Sequence, residues 1–468
     1  MCGIIGVTGI ADASRVAYLG LYSLQHRGQE SSGIVAVDGE GAARSHRGMG
    51  LVSDVFDEQV LSELPGDVAI GHTRYSTAGT SVLANAQPML ARYREGPLAL
   101  AHNGNLTNAV QLRSDLVTKG SIFQSSSDSE VLVHLIARSE AREPEDQLLD
   151  ALERVEGAYS LVITIGRTLY AIVDPRGFRP LVLGRLGRGW VVASETCALD
   201  ITGATLVREL EPGAFIRIHG EELDQLPTLA AKPHRRCVFE LVYFSRPDST
   251  IFRRSVDGVR RALGRELARE HPAPGADCVF SVPDSSNAMA LGYSEESGIK
   301  LEHALIRNHY VGRTFIHPAQ AGRMAKVKIK FNPVREVLEG KKVVVVDDSI
   351  VRGTTSKALV QLIRHAGAAE VHFRVASPPI TGPCYYGIDT PTKSELIASS
   401  HDVEQIREHL GVDTLGYLSL DGMLRAAAGA GDPGEFCHAC FSGDYPTEIP
   451  EDDLAGARNA APLLTIPV

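Results

Sequence analysis

Val343-Val344-Val345-Val346-Asp347-Asp348-Ser349-Ile350-Val351-Arg352-Gly353-Thr354-Thr355 reads as an apolar strand ending in two carboxylates, then a tight turn, then the start of a helix at Thr354 or Thr355. Amides of the turn and of the helix N-terminus, with the threonine hydroxyls, make a cradle for a 5′-phosphate. Ser349, Arg352, Gly353, Thr354 and Thr355 are therefore the phosphate-binding candidates. Asp347 and Asp348, at the carboxyl end of the strand, are placed to meet sugar hydroxyls and a metal-bound diphosphate. A P-loop needs Gly-Lys-Ser/Thr and a dinucleotide fingerprint needs spaced glycines, and this run has neither. A solvated strand end with a threonine N-cap accounts for Asp348 or Thr354 singly, but not for the whole run.

Around this segment, Val256, Val259, Leu263 and Leu267 mark one helix, residues 278–282 a buried strand, and Ala358, Leu359, Leu362 and Ile363 a second helix. Strand, helix and strand in succession predict a parallel sheet with helical crossovers. Upstream of the polar stretch 226–236, which contains Pro227 and Pro233, the pattern differs. Short apolar strands at 69–72, 98–102, 160–165 and 169–173 alternate with a helical stripe at Val131, Leu132, Leu135 and Ile136, which predicts helices packed over sheets. The boundary falls in that polar stretch and divides the chain into residues 2–232 and 233–468. Residues 426–434 read as a small-residue linker before the last two cysteines, and the tail beyond as partly mobile.

The 468 residues are too many for one ordinary core. A formal charge of −10 excludes nucleic acid and anionic membranes as main partners, though a local basic loop can still hold a phosphorylated small molecule. No run approaches the roughly 18 apolar residues of a membrane span, and the N-terminus lacks a secretory layout, so a cytoplasmic location is expected. Seven cysteines are too few and too unevenly placed for a disulfide framework, which leaves metal binding or nucleophilic chemistry as their use.

Cys2 follows the initiator methionine and precedes Gly3-Ile4-Ile5-Gly6. With Met1 removed, one residue carries both a thiol and a free amine. Their reference pKa values, roughly 8.5 and about 7.7–8, make proton transfer between them nearly thermoneutral, so the nucleophile has its own base. The competing reading is a small buried hydrophobe opening a strand. Three segments favour the nucleophile. His72-Thr73-Arg74 ends a strand with Arg74, whose planar fork suits an α-carboxylate. Ala101-His102-Asn103-Gly104-Asn105 offers the Asn103 side-chain amide and the Gly104 backbone N–H as an oxyanion hole. Ser126-Ser127-Asp128-Ser129 places a carboxylate for an α-ammonium, with a plain helix N-cap as the alternative use of Asp128.

The 343–355 run resembles the ribosyl-donor loop of type I phosphoribosyltransferases. By that resemblance Val282-Pro283-Asp284-Ser285-Ser286 is the diphosphate loop, and residues 307–335, with Arg313, Lys326, Lys328 and Lys330, a mobile loop that closes over the donor; alternating lysines also guard exposed strand edges. The Cys2, Arg74, Asn103–Gly104 and Asp128 segments resemble the N-terminal nucleophile glutaminase domain of class II glutamine amidotransferases. From Cys2 to about Thr447 the chain resembles the amidophosphoribosyltransferases in their cluster-bearing branch. The resemblance implies an α+β N-terminal nucleophile αββα sandwich followed by an α/β type I phosphoribosyltransferase domain. It implies Cys2 as nucleophile, Arg74 and Asp128 as glutamine clamps, Asn103 and Gly104 as oxyanion hole, and Ser285, Asp347 and Asp348 at the Mg2+ site. The implied reaction takes glutamine and 5-phosphoribosyl 1-diphosphate to 5-phospho-β-D-ribosylamine, the first committed step of purine synthesis. A homotetramer under purine-nucleotide feedback is implied as well.

Cys437-His438-Ala439-Cys440 is a C-x-x-C pair, with Cys237 and Cys384 far away in sequence. Spacing alone leaves a redox pair, a zinc site and an iron–sulfur site open. The resemblance implies that these four ligate a [4Fe-4S] cluster of structural role, pinning the C-terminal tail, with Cys197 and Cys278 left as packing residues. Many members of that branch carry a short propeptide, whereas Met1 alone precedes Cys2 here, so ordinary methionine removal is expected to free the amine. Two rivals are other glutamine amidotransferases, such as glucosamine phosphate synthases or asparagine synthetases, which lack the 347–355 loop, and a nucleotide-sensing regulator, which has no use for Cys2 with Arg74, Asn103 and Asp128.

Overall fold

The structure, a computed structural model, describes residues 1–75, 81–308, 329–390 and 392–449. In its first half, alternation of side chains builds two stacked sheets. The Gly3–Thr8 strand lies at the centre of a seven-stranded sheet, paired antiparallel to Val68–Arg74 on one side and Gly189–Ala193 on the other. Period two sends Ile4 one way and Ile5 and Val7 the other. Ile4 packs with Ala99, Ala101, Val162 and Leu169 of the facing six-stranded sheet. Ile5 and Val7 meet Ala17 and Leu21 of the Ala13–Ser23 helix and Ala198 and Leu199 of the Thr196–Thr202 helix. Gly6 faces inward at a point of close approach, where a Cβ would come within 2.6 Å of Val162.

The second sheet contains Gly96–Leu106 and Gly157–Ile165, paired in register from Leu98↔Ile165 to Leu106↔Gly157. Its outer face is covered by the helices Ala109–Thr118, Ser129–Arg138 and Pro144–Leu152. The expected stripe Val131, Leu132, Leu135 and Ile136 is buried there. Helix, sheet, sheet and helix is thus the layer order of residues 3–225, an αββα sandwich as expected.

The architecture then changes. The next strand, Arg236–Cys237, pairs in parallel with Phe436–Cys437 near the far end of the chain. Cys278–Ser281, Lys342–Asp347, Glu370–Val375 and Thr414–Tyr417 form a parallel sheet in that order. Val343 and Val345 face one core and Val344 and Val346 another, so the valine run is buried on both sides. The Thr354–His365 helix starts where expected, but Gly353, at φ 70°, is its N-cap and Thr354 its first residue. A left-handed backbone at that point needs glycine. Of the 426–434 stretch only residues 429–434 are an exposed connection. Met423, Ala426, Ala427 and Ala428 are buried parts of the Leu420–Ala428 helix, because small side chains let it pack closely on the Val256–Glu270 helix. Most of the 307–335 loop, including Arg313, Lys326 and Lys328, and the tail beyond residue 449 lie outside the described residues.

His72, in the Val68–Arg74 strand, is fully buried, and its Nε2 donates to the His102 carbonyl at 3.1 Å. Burial pushes its imidazole down to about 3. The folded state therefore keeps His72 neutral while the unfolded chain protonates it near 6.5. Its contribution is complete above pH 6.5 and is lost as pH falls toward 3, a difference on the order of 5 kcal/mol. His72→Gln, which keeps a donor for His102, should move the acid-unfolding midpoint to lower pH; an unmoved midpoint in acid titration followed by circular dichroism refutes this account.

Candidate active sites

Cys2 is 6% exposed, and its backbone is gripped at both ends. The Cys2 N–H donates to Asn103 Oδ1 at 3.1 Å, and the Cys2 carbonyl accepts from Arg27 Nε at 2.9 Å. Its Sγ lies 3.7 Å from the carbonyl of Tyr75. Met1 is buried ahead of it, with Sδ 2.6 Å from Arg179 Nη1, and burial pushes the Met1 amine down to about 6.

Asn103 is fully buried with one half of its amide committed. Oδ1 takes the Cys2 N–H, while Nδ2 has no hydrogen-bond partner among the described residues. An orphaned buried donor costs about 1–3 kcal/mol, and it is tolerated where a ligand oxygen will use it. Gly104 follows at φ 153°, where a Cβ would come within 1.9 Å of the Ala158 carbonyl, so no side chain can stand there. The preceding His102 ring is held between Ser129 Oγ at 2.9 Å and the Ala158 carbonyl at 3.2 Å, and the His102 main-chain N–H donates to Gln87 Oε1 at 2.8 Å. Asp128 does not cap its helix with its side chain. Its Oδ2 accepts the Leu106 N–H at 2.9 Å instead, tying the helix start to the Asn103–Gly104 strand. Arg74 is 4% exposed and ion-paired with Glu30. The expected clamps, oxyanion donors and nucleophile thus lie on the Gly3–Thr8, Val68–Arg74 and Gly96–Leu106 strands and the start of the Ser129–Arg138 helix.

The second site lies at the carboxyl end of the Lys342–Asp347 strand. Ser285 Oγ donates to Asp348 Oδ2 at 2.5 Å, Ser349 Oγ to Asp348 Oδ1 at 2.6 Å, and Ser286 Oγ to Asp347 Oδ1 at 3.4 Å. Burial, and for Asp347 the neighbouring Asp348 charge, holds both carboxyls above the ordinary range. Such a pair gains from a cation that neutralises it, so the donor set fits Mg2+ held jointly with a substrate diphosphate. Among the described residues no three His, Cys, Asp or Glu side chains close around a single point as a ready metal site. The Thr354 and Thr355 hydroxyls make no hydrogen bond among the described residues, whereas Arg352 pairs with Glu395 at 3.2 Å. In the diphosphate loop Asp284 is ion-paired with Arg307.

The four distant cysteines converge. Cys237 stands directly beside Cys437 in the parallel pair, and Cys384 and Cys440 are close enough that the four thiols act on one another electrostatically. Burial, and then each other, push Cys437 and Cys440 up. Three buried cysteines and the half-buried Cys440 make a soft sulfur donor set of the kind that suits a metal or an iron–sulfur group. Cys197 and Cys278 are buried elsewhere, in separate cores.

Sequence reading missed the residues that link the sites. Arg27 and Arg179, from the first half, both reach Glu240 of the second, at 2.8 Å and 3.3 Å. Glu240 opens the π-turn Glu240–Phe244, which also carries Tyr243. No local pattern marks such residues, since Arg27 and Glu240 are 213 positions apart.

A glutamine amidotransferase domain family matches residues 72–200. Amidophosphoribosyltransferase of Bacillus subtilis is 51% identical over 97% of this chain and 95% of its own length. Amidophosphoribosyltransferase 2, chloroplastic, of Arabidopsis thaliana is 52% identical over 97% of this chain and 80% of its own. Two solved structures superpose with TM-scores of 0.92 and 0.91. The first, described as the allosteric regulatory enzyme of purine biosynthesis, is 50% identical and covers 96% of this chain and 97% of its own. The second, glutamine phosphoribosylpyrophosphate amidotransferase from B. subtilis complexed with ADP and GMP, is 49% identical and covers 96% and 98%.

Asn103→Ala removes the orphaned donor and should lower the turnover of glutamine hydrolysis by about 10²–10³-fold, the usual loss for one oxyanion donor. Glutamate release assayed at saturating glutamine checks it, and a loss confined to KM refutes an oxyanion role.

Proposed function

The chain belongs to the amidophosphoribosyltransferase family, and from that premise we infer how its two sites divide the work. The enzyme transfers the amide nitrogen of glutamine to 5-phosphoribosyl 1-diphosphate; with water consumed, the products are 5-phospho-β-D-ribosylamine, glutamate and diphosphate, in the first step of purine biosynthesis. We divide the chain into a glutaminase domain, 2–232, and a phosphoribosyltransferase domain with a cysteine-bearing tail, 233–468.

Cys2 Sγ attacks the glutamine amide carbon, and the oxyanion that forms is received by Asn103 Nδ2 and the Gly104 N–H. The observation that carries this reading is the Asn103 amide, split between the Cys2 nitrogen and an empty donor. Arg74 and Asp128 hold the α-carboxylate and α-ammonium of glutamine. Removal of Met1 turns the Cys2 nitrogen from an amide into an amine already hydrogen-bonded to Asn103 Oδ1. At this buried position the neutral form of that amine would be favoured, and a neutral amine can take the thiol proton. Released ammonia passes Tyr75 and Tyr243 to the anomeric carbon of the donor. Closure over the donor excludes water, the competing nucleophile.

Ser349, Gly353, Thr354 and Thr355 receive the 5′-phosphate, with Arg352 once it leaves Glu395, and Ser285, Asp347 and Asp348 share Mg2+ with the diphosphate. Mg2+ when bound neutralises the departing diphosphate. Cys237, Cys384, Cys437 and Cys440 hold a [4Fe-4S] cluster, with zinc the alternative for the same thiols. We assign the enzyme to the cytoplasm, although relatives from plants are named chloroplastic, and propose a homotetramer inhibited by purine nucleotides such as the ADP and GMP bound by the B. subtilis relative. Among the described residues no helix is long and apolar enough to cross a membrane.

Cys2→Ala should abolish glutamine use while ammonia-dependent synthesis persists; loss of both refutes separate sites. Intact mass of fully active protein should show Cys2 at the N-terminus, and retained Met1 would defeat the amine-as-base assignment. Purified anaerobically, the protein should show broad visible absorption with iron and sulfide in equal amounts, whereas colourless protein carrying zinc replaces the cluster assignment.

A further inference from the structure

Four charged side chains meet out of contact with water between the two halves. Arg27, Arg179, Glu195 and Glu240 have fully buried side chains, two positive and two negative. Arg27 spends its donors on three elements: Nε on the Cys2 carbonyl at 2.9 Å, Nη1 on Glu195, and Nη2 on Glu240 at 2.8 Å. Glu195 also accepts from Ser249 Oγ at 2.6 Å and the Arg246 N–H at 3.0 Å, both beyond the domain junction. Glu240 begins the π-turn Glu240–Phe244, and its second oxygen accepts from Ser245 Oγ at 3.0 Å. Buried Arg260 donates to the carbonyls of Leu241, Tyr243 and Ser245 at 2.8–2.9 Å. The turn is therefore held twice, by Arg27 through the Glu240 carboxylate and by Arg260 through three of its carbonyls.

We propose that Glu240, a residue of the phosphoribosyltransferase half, is a positioning residue for glutamine cleavage, acting through Arg27 on the main chain of Cys2. The Cys2 peptide has two anchors, Asn103 at its nitrogen and Arg27 at its carbonyl. Asn103 belongs to the glutaminase sheet, whereas Arg27 is aimed by a carboxylate from the other domain. A shift of the Glu240 turn, from either side, turns the guanidinium and with it the sulfur. The inference rests on the reaction assigned above and adds to it a second-domain residue on which the first domain's chemistry depends.

The test compares the full-length holoenzyme with Glu240→Gln, which keeps an acceptor oxygen but removes the charge. Glutamine-dependent turnover should fall roughly 10- to 100-fold, the usual cost of a misplaced reacting group, with the KM for glutamine little changed. The ratio of glutamine-dependent to ammonia-dependent synthesis should fall by the same factor, and alkylation of Cys2 by iodoacetamide should change in rate, since the sulfur is no longer held by the Arg27 contact to its main chain. Arg27→Lys keeps the positive charge but cannot serve three acceptors with a planar fork, and should reproduce the effect if Glu240→Gln fails to fold. Two active variants with an unchanged ratio and an unchanged alkylation rate overturn the proposal. A wild-type protein that releases no glutamate from glutamine instead defeats the underlying reaction.

Discussion

The structure hangs on a balanced set of buried charges. Taking a guanidinium or a carboxylate out of water costs several kcal/mol, recovered only when each is paired and its remaining hydrogen bonds are met. Arg27 and Arg179 against Glu195 and Glu240 meet both conditions, since every one of them also bonds main chain or a hydroxyl. Removing one partner would strand a charge, so the two halves cannot drift apart along this seam without a large penalty. Apolar packing could hold two domains together, but it is tolerant of sliding. An ion network with fork geometry is not, and the Cys2 carbonyl is one of its acceptors.

A second set of contacts reinforces this rigidity beside the oxyanion strand. Asn105 Nδ2 donates to the Tyr385 carbonyl at 2.9 Å, Arg179 donates twice to the Tyr386 carbonyl, and the Phe178 and Tyr386 rings stack with centroids 4.4 Å apart. Gly387, at φ 104°, packs so tightly that a Cβ would come within 2.8 Å of the Gly104 main chain. These partners follow Cys384 directly in sequence. The segment beside Cys384 therefore lies directly against the strand that carries Asn103 and Gly104.

How much of this could be read beforehand follows from the range of the forces involved. Valines 343–346, buried on both faces, announced a parallel strand, and the alternation of Ile4 with Ile5 and Val7 is the local signature of a strand between two layers. Cys2, Asn103–Gly104 and Asp347–Asp348 were legible because their chemistry needs particular residue types at short spacing. The Asp128 contact was not. A carboxylate ahead of a helix looks like a cap, and only the fold brings the Leu106 N–H to compete for it. The alanines of 426–428 misled for a related reason, because small residues suit a linker and a close helix contact equally well, and the Val256–Glu270 helix that decides between them lies some 160 positions away. Arg27 and Glu240 were invisible on the same grounds.

The same geometry explains why a terminal residue suits this nucleophile. A histidine base would need a free ring nitrogen, and the two buried imidazoles nearby are committed: His72 is kept neutral and donates to the His102 carbonyl, and the His102 ring is held by Ser129 and Ala158. A main-chain nitrogen at the sulfur's own residue would need only one side chain to direct it. It is placed by the strand that begins at Gly3, and Asn103 Oδ1 fixes its direction while leaving Nδ2 for the substrate. In the proposed reaction one amide side chain would orient the base and stabilise the charge that the base helps to create. Any movement that misplaces Asn103 weakens both steps together, so the strand carrying it must be held from both sides: by Gln87, Ser129 and Asp128 within the first domain, and by residues 385–387 from the second.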